Sequence, residues 1–89
     1  MMTLEQAIDL YLTEPSQRTG ELRTDLIEAG KRARWWMTTG KEATAVILNA
    51  LHDETRFGMS VRDIASATGI PTTTVQARLN FARKEGPSA

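Results

Sequence analysis

The chain has no cysteine and a single histidine, and aromatic residues make up 6% of its 89 residues. Without cysteine there are no disulfides, no thiolate metal sites and no cysteine nucleophile. A domain this small must then be held by packing or by association with a second copy. The lone histidine, His52, stands beside Asp53 and Glu54. Neighbours along a helix do not face each other, and a metal site needs more nitrogen or sulfur ligands than this chain offers. Neither a metal nor a cofactor is therefore expected. Ser16, Ser60, Ser66 and Ser88 have no nucleophile elbow or oxyanion signature around them. Gly40-Lys41 lacks the upstream glycine and the following Ser/Thr of a phosphate loop. These absences speak against an enzyme. No apolar run approaches the roughly 18–20 residues of a membrane span. The N-terminus lacks the basic stretch of a secretory signal. The expected compartment is the cytoplasm, with no membrane partner.

Net charge of one sign is also lacking, since eleven basic and eleven acidic residues cancel. The distribution is uneven. Residues 1–30 hold six acids (Glu5, Asp9, Glu14, Glu21, Asp25, Glu28) against Arg18 and Arg23, a balance of −4. Residues 31–89 hold nine bases and five acids, a balance of +4. Between 55 and 84 five bases face only Asp63. A basic half of this kind is an electrostatic footprint for phosphate.

What is present is helical periodicity. An apolar content of 40% is ordinary for a globular chain, and 89 residues suffice for one domain. A first helix is expected over residues 3–13, opened by the capping box Thr3-x-x-Gln6 and carrying the stripe Leu4, Ala7, Ile8, Tyr11 and Leu12. Pro15 and Ser16 end it. A second helix is expected from residue 18 or 20 to 38, with Leu22, Leu26, Ala29, Ala33, Trp36 and Met37 on one face and Gly40 just past its end. Trp35 and Trp36 lie about 100° apart on such a helix, so one turns inward and the other stays partly exposed. The stripe of the first helix suits core packing or a homodimer interface. In the second case Leu4, Ile8 and Tyr11, with Trp35, would form the contact. A third helix is expected over 41–56, with Ala43, Val46, Ile47, Ala50 and Leu51 inside and Phe57 after it.

The most informative stretch is Ser60 to Lys84. Ser60 is a natural N-cap, Asp63 favours a helix N-terminus, and Val61, Ile64 and Ala65 repeat at helical spacing over 61–68. Gly69 stops this helix, because glycine adopts positive φ cheaply. Pro71 suits the start of the next, having no N–H to leave unpaired. The last helix is expected over 72–84, with Val75, Leu79 and Ala82 as its inner stripe. Its other face carries Thr72, Thr73, Gln76, Ala77, Asn80 and Arg83, which are short, polar or basic. The major groove of DNA is just wide enough for one such helix. Two helices joined by a short glycine-containing turn make a helix-turn-helix. The expected fold is all-α: five helices in one domain, a trihelical helix-turn-helix core over 41–84, N-terminal helices over 1–39, a short tail over 85–89, and no wing.

The string DIASATGIPTTTVQARLNFARK resembles the helix-turn-helix of region four of bacterial sigma factors, in the extracytoplasmic-function branch. The matching positions are Ile64, Ala65, Gly69, Ile70, Pro71, Thr74, Val75, Arg78, Leu79, Ala82, Arg83 and Lys84. They cover about a quarter of the chain. The motif is specific for a helix-turn-helix and much less so for a sigma factor. The chain has no room for the region-two domain of a sigma factor. The resemblance implies binding to double-stranded DNA.

From the residue types we expect Thr72, Thr73, Gln76 and Ala77 to meet base edges: glutamine suits adenine, and the threonine methyl and alanine suit the thymine methyl. Arg56, Ser60, Arg62, Arg78, Arg83 and Lys84 would hold phosphates, which sets register without reading sequence. The resemblance adds Lys41. Two classes of function stay open: a small sequence-specific regulator of transcription, read as a homodimer on a palindrome, or a module whose acidic N-terminal helices bind a protein such as polymerase or a sigma partner. An exposed reading face favours the first. A reading face covered by an N-terminal helix would favour the second.

Overall fold

The structure, a computed structural model, describes residues 2–33 and 41–85, with side chains as far as residue 81. The described residues form five α-helices and no strand. They are α1 (Leu4–Tyr11), α2 (Leu22–Ala33), α3 (Lys41–His52), α4 (Val61–Thr68) and α5 (Thr72–Glu85), with one 3₁₀ turn at Pro15–Gln17 between α1 and α2.

Local chemistry sets the ends. Thr3 Oγ1 accepts from Gln6 N–H at 3.1 Å and Gln6 Oε1 accepts from Thr3 N–H at 2.9 Å, so the expected capping box opens α1. Ser60 Oγ accepts from Asp63 N–H at 3.1 Å at the start of α4. Gly69 closes α4 at φ 79°, and its N–H donates to Ala65 O.

Helix α2 begins later than expected and α3 ends sooner. In front of α2, Thr19 N–H and Thr19 Oγ1 both donate to Asp25 Oδ1 at 2.8 Å, and Gly20 turns at φ 87°; the chain before Leu22 is thereby folded back as a turn. The expected extension of α2 through Trp36 and Met37, and the dimer role of Trp35, lie outside the described residues. Helix α3 stops at His52, four residues before the expected end. The Asp53 carbonyl accepts from Phe57 and Gly58 N–H, Gly58 sits at φ 58°, and the Asp53 carboxylate accepts from Thr55 N–H and hydroxyl. His52 Nδ1 bonds Met59 O at 2.8 Å, with the ring donating, and fastens the outgoing loop to the helix end.

All five helices feed one core. Helix α3 runs through its middle and packs on each of the other four. Ile8, Leu26, Ile47, Leu48, Leu51, Ile64, Ile70, Val75 and Leu79 are at most 1% exposed. Helices α3, α4 and α5 pack on one another pairwise, α2 reaches α4, and α1 packs on α2 and α3. Ile8 and Tyr11 are therefore buried inside the chain itself, and Leu4 is half-buried against the same core. The expectation of a dimer surface on these residues is corrected: their stripe is used up on α2 and α3, and the large apolar side chain of α1 left exposed is Leu10, outside that stripe.

Candidate nucleic-acid interface

Helix α5 is held from one side only. Val75 and Leu79 are buried, and Thr74, Arg78 and Phe81 are half-buried beside them. Among the described residues, its helix contacts are to α3 and α4 alone. The opposite side is open. Thr72, Thr73, Gln76, Ala77 and Asn80 are all exposed, at a spacing that puts them on one arc of the helix. Among the described residues, neither N-terminal helix covers them. All four residues expected to read bases lie on this arc, and Asn80 extends it by one turn. Gln76 Nε2 donates to Asn80 Oδ1 at 3.4 Å.

The residues expected to hold phosphate are more scattered. Arg62 is exposed in the first turn of α4, next to the exposed N-cap Ser60, whose oxygen is engaged by Asp63 N–H. Lys41 is exposed at the start of α3. Arg56 follows the other end of α3 and is exposed, 4.0 Å from Asp53, on a shallow hollow of about 200 Å³ that it shares with Leu4, Val46, Asn49 and Ala50. Lys41 and Arg56 are thus at opposite ends of one helix. The side chains of Arg83 and Lys84 lie outside the described residues.

Arg78, expected to hold phosphate, is half-buried on the flank of α5. Its positive charge is close enough to the Tyr11 hydroxyl to pull that pKa down, although burial raises it more and the net direction is upward. The reason is register: Arg78, three residues after Val75, flanks the inner stripe of the helix, so its stem packs beside it.

Two polar clusters gave little sequence signal. Tyr11 Oη and Thr44 Oγ1 share a buried hydrogen bond of 3.0 Å across α1 and α3. Arg18 ties three carboxylates together: Asp9 at 2.7 Å, Glu5 at 3.2 Å and the buried Asp25 at 3.4 Å. Thr19 N–H holds the Asp25 carboxyl below the usual carboxylate range; burial works against it, and the Thr19 hydroxyl and Arg18 add to it. Asp25 did carry a legible sign, since it lies three residues after Leu22 and next to Leu26, on the inner side of α2. Three of the acids of the N-terminal half are thus paired with Arg18, and of these Asp25 alone is buried.

Among the described residues, no group of His, Asp and Glu is placed to hold a metal ion, and no helix is long and apolar enough to cross a membrane. No protein-family model, curated protein or solved structure matches the chain.

Proposed function

We propose that this protein is a small sequence-specific DNA-binding regulator of transcription, with α5 lying in the major groove. The observation that carries this reading is the open arc of α5. Thr72, Thr73, Gln76, Ala77 and Asn80 are presented together by a helix whose inner side is locked to α3 and α4. Short polar side chains on a rigid helix let the backbone approach base edges closely. The tight turn Gly69-Ile70-Pro71 supports the geometry, with Ile70 buried as its anchor. Arg62 and Lys41 supply positive charge at the N-terminal ends of α4 and α3, and Arg56 supplies it in the loop after α3. Among the described side chains of the arc there is no arginine, and arginine is the commonest reader of guanine, so the reading leans to A·T-rich sites or modest specificity.

A reading head with this little charge binds weakly as a single copy. Two copies on a palindrome would double the contacts, joined through a surface other than the buried stripe of α1.

The test is binding of a random fluorescent duplex by the full chain across a salt series, with mass measured by light scattering on the same sample. A steep loss of binding with salt supports the reading. A folded sample that binds no duplex even at low salt overturns it.

A further inference from the structure

The open arc of α5 carries two carboxamides one turn apart, and they are joined: Gln76 Nε2 donates to Asn80 Oδ1 at 3.4 Å. Resting on the DNA reading above, we propose that Asn80 is a positioning residue for Gln76, and that the joined pair selects adenine at one base pair.

The argument is one of donors and acceptors. A glutamine carboxamide has one acceptor, Oε1, and two hydrogens on Nε2. In the major groove adenine presents an N7 acceptor and an N6 donor, whereas guanine presents two acceptors, N7 and O6. A free glutamine turns its amide to suit either base, because it can offer one donor with one acceptor, or two donors. Asn80 removes that choice. One of the two Nε2 hydrogens is committed to Asn80 Oδ1, and one remains. What faces the groove is then one donor next to one acceptor, the complement of adenine and a mismatch for guanine. Commitment to Asn80 also removes part of the side-chain freedom that Gln76 would otherwise lose on binding. Both residues are exposed, so water competes for this bond in the free protein. In the groove that water is displaced, and the bond strengthens as the local dielectric falls. Ala77, next to Gln76 on the arc, has no polar group to compete for the amide.

The experiment begins with the full chain and a random duplex pool. Selected sites are compared between the wild type and Gln76→Ala to find the base pair that Gln76 reads. Affinities are then measured for the four duplexes that differ only there, with wild type, Asn80→Ala and Asn80→Asp. The wild type should prefer adenine over guanine by about tenfold or more. Asn80→Ala should keep its thermal melting but lose most of the adenine preference. Asn80→Asp still accepts from Nε2. It should keep the preference while binding every duplex more weakly, because its carboxylate repels phosphate. The proposal is overturned if Asn80→Ala discriminates as well as wild type, or weakens all four duplexes equally. It is also overturned if the wild type binds DNA yet selects no adenine at the Gln76 position. These outcomes leave DNA binding standing. A wild type that binds no duplex removes the DNA reading itself, and the role of Asn80 with it.

Discussion

Gly30 on α2 lies against Thr68 on α4 so closely that a Cβ at residue 30 would come within 2.6 Å of Thr68 Cγ2. Thr68 is 1% exposed and is the last residue before the turn into α5. Its hydroxyl donates to Ile64 O at 2.7 Å and accepts from Ile70 N–H at 3.2 Å. The contact therefore joins the N-terminal half of the chain to the turn that orients α5.

Gly30→Ala should destabilise the protein by about 1–2 kcal/mol, because the overpacking cost outweighs the gain in helix propensity. Thr68→Ser keeps the hydroxyl bonds and removes the obstructing methyl. In that background Gly30→Ala should change sign and stabilise by up to about 1 kcal/mol. Urea unfolding of the four proteins measures the cycle. Equal effects of Gly30→Ala in both backgrounds would contradict the contact.

Asp25 gives the fold an acid limit. Its folded pKa is depressed, first by Thr19 N–H and further by the Thr19 hydroxyl and Arg18. Its contribution is thus complete above the unfolded value, about 3.9, and is lost as pH falls through the lower folded value. Asp25→Asn should be less stable than wild type at neutral pH, with a flatter stability profile below about pH 4. Asp53, depressed by Thr55, leaves a residual slope on the same side. Unfolding midpoints across the acid range decide the matter, and parallel profiles for the two proteins would remove Asp25 from this role.

Tyr11→Phe leaves the fully buried Thr44 hydroxyl without the phenol. A loss of about 1–2 kcal/mol is expected. The double variant Tyr11→Phe/Thr44→Val should recover much of it, since removing both polar partners costs less than stranding one. Additive losses in thermal melting would show that the two groups do not share a bond.

Arg62 and Arg78 should separate cleanly. Arg62 is exposed, so Arg62→Ala should leave stability within about 0.5 kcal/mol of wild type. If α4 meets phosphate, it should also reduce the salt slope of duplex binding by about 1. Arg78→Ala should cost about 1 kcal/mol of stability through lost packing of its half-buried stem. Thermal melting of the two variants, with salt titrations of the same samples, checks both halves. A stable Arg78→Ala protein would return that arginine to the outer surface.

The ends of the helices were legible from local chemistry. Thr3 with Gln6, Ser60 with Asp63, and Gly69 act within four residues of themselves, and a sequence displays such relationships directly. The open arc of α5 was legible for the same reason. Once Val75 and Leu79 are assigned inward, helix geometry turns Thr73, Gln76 and Ala77 outward, and Thr72 is exposed as the residue that opens the helix. Where α3 ends was less legible, because the stop at His52 comes from carbonyl bonds and a positive φ at Gly58, not from proline.

Partner choice belonged to the tertiary structure. The stripe containing Ile8 and Tyr11 fits a second copy or the chain's own α3 equally well by pattern, since burial of apolar area is non-directional. Only the packed chain shows that it goes to its own core. The same holds for Arg78, drawn to the inner flank of α5 beside Tyr11, and for Arg18, which gathers carboxylates from two helices. It holds most for Gly30, whose missing side chain has meaning only because Thr68, thirty-eight residues later, comes to rest against it. The sequence by itself determined five amphipathic helices and the polar face of the last. The tertiary structure decided which charges remain outside, because burying one side of each helix fixes the exposure of every residue on the other.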